Sequence, residues 1–137
     1  MGTKFSTRVW VSVVGIASIF FGSKGYADTV ISVADFGLKP DTRENAVAYV
    51  QKAIEACRGK EPVTLVFPEG RYDFWPQYAH EKNYYETNTY DVFPKRLAML
   101  FEGLHNITVD GNGSQFVMHD RIQPITVENC DGVTLKN

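Results

Sequence analysis

The chain has 137 residues, 44% of them hydrophobic and 22% charged, and a formal net charge of −2 at pH 7. That length has room for a leader and one small domain. A slightly acidic chain with no basic run is excluded from the class of electrostatic nucleic-acid binders.

Met1 to Ala27 predicts a secretory signal peptide. Lys4 and Arg8 form its positive start, Val9 to Phe21 is an apolar run of thirteen residues, and Gly25-Tyr26-Ala27 places small residues before a cleavage point. Thirteen helical residues rise about 20 Å, short of a roughly 30 Å hydrocarbon core, so the run is no membrane anchor. No cysteine follows it, so a lipoprotein signal is not supported. The expected location is outside the cytoplasm: a periplasm, a cell surface or the medium. Residues 28–137 would be the mature chain, without a membrane span. Loss of Lys4, Arg8 and Lys24 shifts its balance to −5, which points to neutral or cationic partners.

Thr29 to Val33 reads as a short β-branched strand, turned by Ala34-Asp35-Phe36-Gly37. The tripeptide D-F-G also occurs in protein kinases, but no Gly-rich loop, V-A-I-K or H-R-D accompanies it. Asp41-Thr42-Arg43-Glu44 supplies a helix start, with Asp41 or Thr42 as the cap. Ala46, Val47, Val50, Ile54 and Cys57 then form one apolar stripe, and Gly59 is placed to end the helix. Val63 to Phe67 is the next strand, broken by Pro68-Glu69-Gly70.

From Arg71 to Arg96 the rhythm is lost. The segment holds eight aromatic residues among charged and amide side chains, and residues 72–96 are expected to form an irregular insertion. Aromatic faces can stack on the C–H face of a sugar. Trp75 and Tyr78 are the candidates for substrate contact; the alternative is that these rings pack on each other and hold the insertion down.

Leu97 to Asn137 contains one pattern twice, twenty-six residues apart. Met99 falls on Ile125, Phe101 on Val127, Glu102 on Glu128, Leu104 on Cys130, Ile107 on Val133, Thr108 on Thr134 and Val109 on Leu135. Strand, tight turn and strand repeated at fixed spacing predict stacked coils of a parallel β-solenoid. Its inward residues would be Met99, Phe101, Ile107 and Val109, with Ile125, Val127, Val133 and Leu135 stacked above them. The helix stripe would lie over the solenoid end as an N-terminal cap. Solenoids need several repeats to bury a continuous core, so the chain is expected to be the front of a longer protein, truncated after its first coils. Cys57 closes the helix stripe and Cys130 matches the inward Leu104, so two separate thiols are expected rather than a disulfide.

The opening I-S-V-A-D-F-G-L-K-P-D-T-R-E-N-A-V, followed by V-T-L-V-F-P-E-G-R-Y, resembles the start of the right-handed parallel β-helix carbohydrate-active enzymes of the pectate-lyase-like superfamily. With the aromatic insertion and the closing V-E-N-C-D-G-V-T-L-K-N, it is most similar to the exo-α-galactosidases of glycoside hydrolase family 110. The resemblance implies a mainly β, right-handed parallel β-helix. It also implies an inverting hydrolase removing terminal α-1,3-linked galactose from oligosaccharides or polysaccharides, with no cofactor or metal. Two alternatives stay open: a polysaccharide lyase or other pectinase-like enzyme on the same fold, and a non-catalytic glycan-binding or adhesive β-helix.

An inverting glycosidase needs an acid and a base roughly 6.5–9.5 Å apart. The family's acidic residues match no position here, so the catalytic residues are expected beyond Asn137. Glu102, Asp110, Asp120 and Glu128 receive no catalytic role, and Asp110 in Asp110-Gly111-Asn112-Gly113 is read as a turn residue. His105 and His119 have no partner at metal-ligand spacing and are read as surface or turn residues. Asn106-Ile107-Thr108 fits the glycosylation sequon but sits at a strand entry, and the resemblance implies a bacterial source, so it is discounted.

Overall fold

The computed structural model describes residues 28–83 and 93–137. The leader, residues 1–27, and Tyr84, Tyr85 and Tyr90 of the insertion lie outside these residues. Among the described residues, nine strands and one α-helix follow in the order β1 (Thr29–Ser32), a 3-10 turn (Val33–Phe36), α1 (Val47–Cys57), β2 (Val63–Val66) and β3 (Arg71–Phe74). Then come β4 (His80–Lys82), β5 (Lys95–Glu102), β6 (His105–Asp110), β7 (Gln115–Met118), β8 (Gln123–Glu128) and β9 (Asp131–Lys136).

Three sheets result, ordered β1-β2-β6-β9, β3-β7 and β4-β5-β8. Every pairing is parallel except β4 with β5. The expected class is therefore present at the level of a mainly β chain with one helix and parallel sheets. The twenty-six-residue repeat is the register of two of them: Met99 pairs with Ile125, Phe101 with Val127, Ile107 with Val133 and Val109 with Leu135. A second, longer register was not foreseen. Val63 pairs with Ile107 and Arg71 with Gln115, both 44 residues on. The additional eighteen residues of that row therefore leave the frame entirely between Phe74 and Leu97.

Alternation explains the core. Val63 and Leu65 of β2, Ile107 and Val109 of β6, and Met99 and Phe101 of β5 turn inward and are buried in one cluster. At the β3-β7 sheet the core becomes aromatic. Phe116 packs against Phe67 and Phe74 with ring centroids 4.8 and 5.9 Å apart, and Phe67 meets Tyr72 edge-on at 5.4 Å. The buried Tyr72 hydroxyl donates to the Pro68 carbonyl at 2.6 Å, and burial pushes its pKa up to about 12. On the last described row Val127 and Leu135 are 46% and 50% exposed.

The helix departs from expectation at its start. α1 begins at Val47, because Asp41 and Thr42 do other work: Asp41 and Arg43 adopt φ 64° and 63°, and the Asp41 carboxylate accepts from the Arg71 amide at 3.0 Å. Asn45 caps instead, its side-chain oxygen accepting from the Val47 amide at 3.2 Å. The stripe itself is as read: Ala46, Val47, Val50, Ile54 and Cys57 are buried, Ala53 joins them, and the helix packs against β5, β1 and β2. Gly59, at φ 74°, follows its last turn. Cys57 and Cys130 are free thiols, and burial pushes the Cys57 thiol up to about 11.

Arg71 to Phe74 is likewise not insertion but regular strand, with Tyr72, Asp73 and Phe74 all buried. The turn before it needs glycine. Gly70 has φ 148°, and a Cβ there would lie 2.4 Å from Pro40 Cβ.

Candidate functional site

As β3 ends, Asn45 takes hold of the chain that follows. Its side-chain oxygen accepts from the Trp75 amide at 3.2 Å, and its amide nitrogen donates to the Gln77 carbonyl at 2.9 Å. From α1, Gln51 donates to the Tyr78 carbonyl at 2.9 Å. These bonds fix a tight turn, closed by the Ala79 amide on the Pro76 carbonyl at 3.2 Å, in which Tyr78 adopts φ 68°.

The same edge carries a buried charge cluster. Asp73, 1% exposed, receives two bonds from the Arg71 guanidinium at 2.9 and 2.6 Å and a third contact from His119 Nε2 at 2.7 Å. The Arg71 bonds, and secondarily His119, hold the carboxyl down at about 2 despite burial. An ionised carboxylate only accepts, so Nε2 of His119 carries the hydrogen. The imidazole then stacks on the indole of Trp75, centroids 4.0 Å apart and planes 3° from parallel. His119 is thus no free surface residue, as its sequence context suggested. It follows β7 as Trp75 follows β3, 44 residues apart in the shared register. His105 is exposed at the start of β6.

Trp75 and Tyr78 are brought together. Both line an open cleft of about 470 Å³, with Gln77 beside them, Glu81 and Arg96 from β4 and β5, and Asp120 beyond β7. Tyr78 is 76% exposed. Arg96 and Glu81 pair at 3.3 Å, and Asp120, like Tyr78, has a left-handed backbone at φ 58°.

The remaining acids are engaged elsewhere. Glu102 and Glu128 are register partners that share the Lys82 ammonium at 2.7 and 2.5 Å, which ties β4 to two rows of strand. Lys82 holds the Glu102 carboxyl below its usual range. Asp110 accepts from the Asn137 side chain and the Asn112 amide, both at 3.0 Å, and these bonds lower its pKa. Asp110 is thus the last residue of β6 rather than a turn residue, and its carboxylate holds the turn that follows. Among the described residues, no three His, Cys, Asp or Glu side chains converge as metal ligands would, and no helix is long and apolar enough to cross a membrane.

The cluster of Arg71, Asp73 and His119, and the anchor Asn45, were missed by reading the sequence. The available signal was the 44-residue offset, which lays R-Y-D-F-W on Q-F-V-M-H.

No protein-family model matches the chain. Among curated proteins it is 62% identical over 111 residues to alpha-1,3-galactosidase B of Bacteroides thetaiotaomicron, a match covering 81% of this chain and 18% of that protein. It is 39% identical over 107 residues to alpha-1,3-galactosidase A of Shewanella woodyi, covering 78% of this chain and 17% of that protein. With an alpha-1,3-galactosidase B of Phocaeicola vulgatus it shares 36% over 133 residues, 94% of this chain and 20% of that one. The chain is related in sequence to these alpha-1,3-galactosidases, and it spans about a fifth of their length.

Proposed function

We propose that this chain is the N-terminal part of an exported hydrolase that removes terminal α-1,3-linked galactose from glycans, with inversion at the anomeric carbon. The observation that carries the reading is the long match to alpha-1,3-galactosidases, 62% identical in one of them. On this reading the parallel sheets are the first coils of a right-handed β-helix, α1 is the cap over its end, and residues 1–27 direct export. The constant 26- and 44-residue registers support the coil assignment.

The catalytic acid and base belong, in this proposal, to sequence beyond Asn137. An inverting pair must leave room for a water between two carboxyls roughly 6.5–9.5 Å apart. Glu102 and Glu128 are drawn together on the Lys82 ammonium, Asp73 is bonded to Arg71, and Asp110 holds a turn. What these residues do is hold the frame on which later coils stack.

The test is to incubate the protein that carries this chain with an α-1,3-galactosyl oligosaccharide and follow the products by NMR. Galactose released first as its β-anomer is the expected result. Release as the α-anomer would contradict inversion, and an unsaturated uronide formed from pectin in place of galactose would turn the reading to a lyase.

A further inference from the structure

The cleft beside Trp75 has the size, rings and charge of a sugar site, and the identity of its sugar rests on the galactosidase reading above. Its volume of about 470 Å³ is within the range in which small ligands bind. Of its two aromatic residues, Trp75 is half-buried, with one ring face covered by the His119 imidazole. Tyr78 is 76% exposed.

A single exposed tyrosine needs no explanation. A bulky residue held in the left-handed region does, because that conformation is uncommon and costs free energy. Tyr78 is kept there by the Gln51 bond to its carbonyl and the Asn45 bond to the preceding carbonyl. Asp120, lining the same cleft, is a second non-glycine residue in this conformation. Held at its backbone in this way, Tyr78 presents its side chain to solvent at a cleft that Asp120 also lines.

The charges say what. Glu81 and Asp120 are acceptors for sugar hydroxyls, while Arg96 and the Gln77 side-chain amide can donate. Two carboxylates against one guanidinium, itself paired with Glu81, repel an anionic sugar and suit a neutral one. We propose that this cleft binds a neutral sugar residue of the glycan, stacked on Tyr78 beside Trp75, with its hydroxyls read by Gln77, Glu81, Arg96 and Asp120.

The experiment is calorimetric titration of the protein carrying this chain with methyl β-galactoside, which an α-galactosidase does not cleave, and with methyl galacturonoside. Tyr78→Ala and Asp120→Asn are compared with wild type, and galactose release from the α-1,3-linked oligosaccharide is measured on the same preparations. Because both side chains are exposed, the melting temperatures should be unchanged. The expected result is about tenfold weaker binding of the galactoside by either variant, and weak or no binding of the galacturonoside by wild type. Equal binding by wild type and both variants, no binding by wild type, or a preference for the galacturonoside would overturn the cleft assignment, whatever the hydrolysis shows. Loss of binding in the variants with no galactose released by any preparation would support the cleft and refute the hydrolase.

Discussion

Asp73→Asn tests whether the charge cluster behind Trp75 behaves as its geometry requires. The carboxylate is buried, takes two bonds from Arg71 and one from His119, and is held down at about 2 against an ordinary 3.8. A shift of that size corresponds to about 2 kcal/mol of preference for the folded state at neutral pH. The Arg71 side chain is 27% exposed, and water screens its side of the pair, so about 1–2 kcal/mol is the better expectation. The sign follows from the depressed pKa. The contribution is complete above the unfolded value near 3.8 and is lost as pH falls from there through about 2. Urea unfolding of wild type and Asp73→Asn should therefore differ by about 1–2 kcal/mol at pH 7, and the gap should close as the pH approaches 2. Equal stability at pH 7, or a gap that persists in acid, would refute the assignment of this stabilisation to the Asp73 charge.

Ile54→Asp places a carboxylate in the apolar stripe of α1, where Ile54 is 4% exposed, and should cost several kcal/mol, read as a large fall in melting temperature. A wild-type melt would mean the helix does not cover the core. Gly70→Ala meets both φ 148° and Pro40 Cβ at 2.4 Å, so a loss of about 1–3 kcal/mol is expected in the same assay. Mass spectrometry of the exported protein should find Asp28, or a residue close to it, at the N-terminus; an intact Met1 would remove the export reading.

The frame was legible where a strand repeats without interruption. Met99 to Val109 and Ile125 to Leu135 alternate alike and nothing is inserted between their strands, so the offset of twenty-six shows directly in the residues. β3 was not legible because its alternation is masked: Asp73 is buried beside Tyr72 and Phe74, bonded to Arg71 two residues before it and to His119 46 residues after it. The helix start was misplaced for a related reason. Asp41 has the chemistry of a cap, but its carboxylate is taken by the Arg71 amide thirty residues on, a tertiary bond that local pattern cannot reveal. Aromatic density alone pointed to Trp75 and Tyr78, and both line the cleft. Their anchors, Asn45 and Gln51, are ordinary amides that acquire meaning only once α1 lies against the turn.

The unequal spacing of the rows has a consequence for how such a chain can change. Because β2-β6 and β3-β7 share one register and β5-β8 and β6-β9 share another, the eighteen-residue difference between them is absorbed at a single corner. A change of length at that corner outside β4 leaves those registers as they are, whereas a one-residue slip of a strand turns its whole inward face outward. The corner beside Trp75 is in effect an exchangeable cassette, set on a stack whose register does not depend on its length.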